Sequence, residues 1–146
     1  MEKEKGYTLV EMIIVILLIG MIGCSVQIGT HRLRVAALKA KGYEVAEGIY
    51  YASRCAELTG NMYNSLCFEN RVLIREDNLS PAIFTIRMDP HMEVYATKTG
   101  VMIIFDGRKA IERAGTIYIY DKGIRRQMRI TVGVATNKIR VYYEKM

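Results

Sequence analysis

Lys5-Gly6-Tyr7-Thr8-Leu9-Val10-Glu11 runs straight into Met12-Ile13-Ile14-Val15-Ile16-Leu17-Leu18-Ile19, and from Met12 to Thr30 the chain has 19 residues without one charge. At about 1.5 Å per helical residue that stretch spans about 28 Å, close to the roughly 30 Å of hydrocarbon in a bilayer. Ten of its residues are Ile, Leu or Val, which at roughly −0.3 to −0.6 kcal/mol each favour insertion by about 3 to 6 kcal/mol. The stretch reads as one membrane-crossing helix. Glu11 stands at its border, where a carboxylate costs free energy in lipid and therefore calls for a partner or a function.

The remainder is of a different kind. The chain has 146 residues, 51% hydrophobic and 25% charged, with 12 Gly and 2 Pro. This excludes a disordered tail or a collagen-like repeat and leaves room for one modest domain.

Three processing fates compete at the amino end. An ordinary secretory signal needs a small-residue cleavage site after the apolar core, and none follows. A lipoprotein signal ending Ile22-Gly23-Cys24 would leave Glu11 unexplained inside its core. The third fate cuts before the span, after Gly6, and keeps the apolar helix on the mature protein. The run Lys5-Gly6-Tyr7-Thr8-Leu9-Val10-Glu11 followed by an unbroken apolar helix resembles the class III leader of type IV pilins and type II secretion pseudopilins, with Tyr7 where the family usually has Phe. The resemblance implies a leader ending at Gly6, cleavage there by a prepilin peptidase, methylation of the new amino terminus at Tyr7, and Glu11 as the assembly glutamate. Physics supplies a reason. A free amine on Tyr7 and the Glu11 carboxylate are opposite charges about one helical turn apart, or face each other on staggered neighbours, where distance-dependent pairing would set axial register.

From His31 to about Leu58 an apolar period near 3.6 returns at Leu33, Ala37, Ala40, Tyr43, Ala46, Ile49 or Tyr50, and Leu58, with Lys39, Lys41, Glu44, Glu47 and Glu57 largely opposite. The membrane helix is thus expected to continue, with Gly42 and Gly48 serving curvature or close packing, and to stop at Gly60-Asn61. Strand grammar follows. Leu66-Cys67-Phe68 and Arg71-Val72-Leu73-Ile74 flank a hairpin turn at Glu69-Asn70. Further runs are Ile83 to Met88, Met92 to Thr97, Val101 to Phe105, Thr116 to Tyr120, Arg129 to Val132 and Lys138 to Tyr143, divided at Asp89-Pro90, Thr99-Gly100, Asp106-Gly107 and Asp121-Lys122-Gly123. The expected fold is α+β: a long N-terminal helix, membrane half plus amphipathic half, packed against a C-terminal antiparallel β-sheet. Its parts would be a leader (1–6), a transmembrane and assembly helix (7–30), an amphipathic helix (31–60) and a β domain (61–146). Ser53-Arg54-Cys55-Ala56 and the strand pattern from Ile103 to Val132 also resemble the H-class pseudopilins and related minor pilins.

The net charge of +6 is uneven, since residues 107–146 hold ten Lys/Arg against three Asp/Glu. Arg125, Arg126, Arg129, Lys138 and Arg140, with Tyr142 and Tyr143 nearby, form the one candidate polyanion footprint, as a DNA-uptake minor pilin would need. Solvated strand faces explain the same residues. Cys24 reads as a small apolar residue of the span, whereas Cys55 and Cys67 are a candidate disulfide or two buried thiols. His31 and His91 lie far apart and there is no C-x-x-C, so no metal site or cofactor is expected. No nucleophile with a base, carboxylate pair or phosphate-binding glycine loop points to catalysis. The resemblance implies a single-pass inner-membrane subunit, its β domain outside, whose partners are the prepilin peptidase, lipid, other pilins or pseudopilins and the assembly platform. The alternatives are a DNA-binding minor pilin and a membrane-anchored binding module that never polymerises.

Overall fold

The structure, a computed structural model, describes residues 8–77, 79–97, 102–107, 113–133 and 138–145. Gly6, Tyr7, the leader, Val101 and the Thr99-Gly100 division lie outside the described residues. The chain forms two compact units, Met1–Arg34 and Val35–Met146.

One helix, α1 (Leu9–Thr59), runs through both. Within the first unit its apolar side chains are exposed on every side, from Leu9 through Ile13, Ile16 and Ile22 to Ile28. A helix apolar all round is built for lipid or for burial among other helices, and this one is long and apolar enough to cross a membrane. Its C-terminal stop is at the expected place. Gly60 adopts φ 72° and its N–H donates to the Ala56 carbonyl at 3.0 Å, the left-handed cap for which glycine carries no Cβ penalty.

Within the second unit eight strands follow: β1 (Met62–Phe68), β2 (Arg71–Arg75), β3 (Ala82–Arg87), β4 (Met92–Ala96), β5 (Met102–Asp106), β6 (Gly115–Asp121), β7 (Arg126–Val132) and β8 (Ile139–Lys145). They form two four-stranded antiparallel sheets, ordered β3-β2-β1-β5 and β4-β6-β7-β8, where a single sheet was the simpler expectation. The split falls at Asp89-Pro90, where the chain leaves β3 and enters the second sheet. Val94 N–H donates to the Glu69 carbonyl at 2.9 Å and so ties β4 back to the β1–β2 turn.

The buried stripe of α1 keeps Ala46 and Ile49 of the expected one and otherwise differs from it. Leu38, Gly42, Val45, Ala46, Ile49, Ala52, Ser53 and Ala56 face the core, while Leu33, Tyr43 and Leu58 are exposed. The physical reason is size. Small residues on the inner face let two sheets close onto one helix, and large tyrosines stay outside. A Cβ on Gly42 would lie 2.7 Å from Met128 Cε of β7, and one on Gly48 2.6 Å from Ile74 Cδ1 of β2, so both glycines serve close packing. Opposite the helix the core is apolar, with Ile74, Ile103, Phe105, Ile117, Ile119, Met128 and Ile130 essentially inaccessible.

Candidate assembly site

The head of α1 is built by four residues of local sequence. Thr8 N–H donates to Glu11 Oε2 at 2.8 Å, Thr8 Oγ1 donates to the same oxygen at 3.0 Å, and Glu11 N–H donates back to Thr8 Oγ1 at 3.3 Å. This is a reciprocal capping box, in which threonine at the N-cap and glutamate three residues on satisfy each other's main-chain donors. Thr8 was not among the expected site residues, although its signal, Thr-x-x-Glu ahead of an apolar run, is in the sequence. The box folds the carboxylate back onto Thr8, and the positive end of the helix dipole stabilises it there. Glu11 is thus an exposed, charged group at the mouth of a helix that is otherwise apolar.

The other expected site residues are placed as follows. Cys55 is half-buried on α1, Cys67 is buried in β1, and both are free thiols, as is exposed Cys24. Burial pushes the Cys67 thiol up to about 12, so it stays neutral and unreactive while the domain is folded. A maleimide applied to the detergent-solubilised chain at mildly alkaline pH is expected to leave Cys67 unlabelled until denaturant is added. Equal labelling rates before and after unfolding, read by peptide mass spectrometry, would contradict that burial.

The five cations of the polyanion footprint are split between surfaces. Strand register puts Arg129 opposite Tyr142 and Arg140 opposite Thr131 on one face, and Arg126 opposite Lys145 on the other, beside the Met128–Tyr143 pair. On the outer face Arg129 is taken: its Nη2 lies 2.8 Å from Glu144 Oε1 and its guanidinium stacks 4.7 Å from the Tyr142 ring. Arg126 lies over Tyr143 at 5.7 Å. Arg125 occupies the β6–β7 turn with φ 50°, and Lys138 is exposed just before β8. The cations therefore do not converge on one groove. Among the described residues no group of three or more His, Cys, Asp or Glu is placed to hold a metal ion.

Residues 1–23 match the family described as the prokaryotic N-terminal methylation motif. A search of curated protein sequences found no match. The fold is similar to that of the type IV minor pilin FimU of Pseudomonas aeruginosa, with a TM-score of 0.61 at 10% identity over 75% of this chain and 90% of that one. It is also similar to the minor pseudopilin EpsH from the type 2 secretion system of Vibrio cholerae, with a TM-score of 0.56 at 11% identity over 72% of this chain and 95% of that one. The chain thus joins an N-terminal methylation motif at the head of an apolar helix to an α+β fold similar to those of a type IV minor pilin and a minor pseudopilin.

Proposed function

We propose that this chain is a structural, non-catalytic subunit of a type IV pilus or type II secretion pseudopilus, anchored first in the inner membrane with its β domain outside. A prepilin peptidase would cut after Gly6 and methylate Tyr7. Other pilins or pseudopilins and an assembly platform would then draw the helix out of lipid and into a filament. The observation that carries the reading is Glu11: a carboxylate held at the head of a helix whose apolar side chains, among the described residues of its own unit, are exposed on every side. Lipid satisfies that face but not the charge; a filament of like helices satisfies both. The reciprocal cap supports this by directing the carboxylate to the side on which a neighbour's amine would lie.

Mass spectrometry of the mature amino terminus tests the proposal. A chain beginning at N-methylated Tyr7 is the expected result. A terminus at lipidated Cys24, or an intact Met1 in a membrane that contains the peptidase, would overturn it.

A further inference from the structure

Within the second unit the two flanks of α1 carry opposite charge, each beside an exposed sheet edge. On one flank Lys39 Nζ lies 4.7 Å from the centroid of the Tyr143 ring, and Arg126 lies over the same ring at 5.7 Å. Lys145 is the register partner of Arg126, and β8 is the last strand of its sheet. Among the described residues neither Lys39 nor Arg126 has an ion-pair partner. Two cations thus share one aromatic ring, and although Asp121 is the register partner of Arg126 on β6, that carboxylate is buried and accepts from Gly123 N–H at 2.8 Å and Ile124 N–H at 3.3 Å.

The other flank is the complement. Glu44, Glu47, Tyr51 and Phe84 line an open groove of about 420 Å³ over Gly48 and Ile86. Tyr51 and Phe84 meet edge to face at 5.0 Å and both stay exposed, and β3, which carries Phe84, is the end strand of its sheet. Glu44 is held by Lys41 at 2.8 Å, whereas Glu47 has no ion-pair partner among the described residues. Carboxylates beside two aromatic rings suit an ammonium or guanidinium. Lys39 and Glu47 lie eight residues, about 12 Å, apart along the helix, so one subunit cannot pair them with each other.

We infer that the basic β8 flank of one copy of this chain docks against the acidic, aromatic β3 flank of the next, with Lys39 and Arg126 meeting Glu47 and the Tyr51–Phe84 rings. The inference rests on the filament reading and specifies which lateral surfaces meet. Such a contact is heterologous: a pair leaves one flank free on each copy, so with an axial stagger it propagates into an open helical array and does not close as a symmetric dimer. Its stagger is also coherent. Lys39 must rise to the level of Glu44 to Glu47 on its neighbour, five to eight residues or about 7.5 to 12 Å of helix. Bringing a Tyr7 amine beside a neighbour's Glu11 requires a shift of the same sign, four residues or about 6 Å. Each offset is measured along its own stretch of α1.

The experiment uses the full chain, expressed in a membrane that contains the peptidase and the assembly machinery, with polymer sheared off and quantified. Glu47→Lys and Arg126→Glu, taken singly, are each expected to lower polymer at least about tenfold through like-charge contact, with the amount of processed chain in the membrane unchanged. Combined in one chain they restore the attraction and return polymer to within about twofold of the parent. Single reversals that polymerise like the parent, or a double variant no better than the singles, overturn the flank contact while the parent's polymer leaves the filament reading standing. A processed parent chain that yields no polymer overturns both.

Discussion

Replacing Glu11 by alanine is expected to abolish assembly while leaving the chain in the membrane and its leader removed. Insertion does not suffer, because deleting a carboxylate at the lipid border removes a cost. Assembly does. In a packed filament the amine on Tyr7 would be left in an apolar setting without its counter-charge, and removing one partner of a buried pair costs about 3–5 kcal/mol. At 1.4 kcal/mol per decade that is a hundredfold or more per contact, enough to empty the polymer. Glu11→Ala also removes the acceptor for Thr8, a helix-cap loss of about 1 kcal/mol, so the alanine variant alone confounds two roles. Glu11→Gln separates them. Its amide oxygen still accepts from Thr8 N–H, but it has no charge to offer a neighbour's amine. Both variants are expected to yield processed, membrane-bound chain and no sheared polymer. Glutamine assembling like the parent would reduce Glu11 to a cap.

The division between what could be read and what could not follows interaction range. Local features were legible. The helix stop at Gly60 and the hairpin at Glu69-Asn70 lie where turn chemistry put them, and the strand runs appear as strands within a few residues of their expected ends. Pairing between distant strands was not legible. β5 joins β1 and β4 joins β6, and nothing in Ile103-Ile104-Phe105 or Val94-Tyr95 says which of several equally apolar edges will accept it. The helix phase was only partly legible, for a related reason. Ala46 and Ile49 face in as the period predicts, yet Leu33, Tyr43 and Leu58 face out and Gly42, Val45 and Ala52 face in, because two sheets pressing on one helix leave room for small residues and not for tyrosine. At the site, Glu11 stands out as a charge at the border of an apolar run, whereas the part of Thr8 emerges only from its hydrogen bonds to Glu11. The basic strands misled in the opposite way. Charge counts summed Arg126 and Arg129 into one patch, while period-two alternation sends them to opposite faces.

Gly107→Ala is expected to be the most damaging single-methyl change in the β domain. Asp106-Gly107 was legible as a turn, but the structure gives the glycine a second duty. An added Cβ would run into the Ala56 carbonyl oxygen and the main chain of Gly60. Both obstacles are backbone at the end of α1, and Gly60 is already committed to a left-handed cap. Neither can rotate aside, so relief requires β5 to move away from the helix end, disturbing Met62–Asp106 pairing and the packing of Phe105. Overpacking of this kind costs about 3 kcal/mol, a fall of about 10 °C or more in the melting temperature of a domain this size. Two other glycines serve as internal standards. At Gly115 the new methyl would meet only Ile103 Cγ1 at 3.7 Å, ordinary contact, and little change is expected. At Gly42 it would press on Met128 Cε and Cγ, a flexible side chain that can give way, and alanine gains about 1 kcal/mol of helix propensity in return. Thermal unfolding of the detergent-solubilised chain, followed by circular dichroism, should therefore rank Gly107→Ala well below Gly42→Ala and Gly115→Ala. Three similar melting temperatures would mean that the end of β5 does not abut the helix cap, because only main-chain obstruction separates Gly107 from the other two.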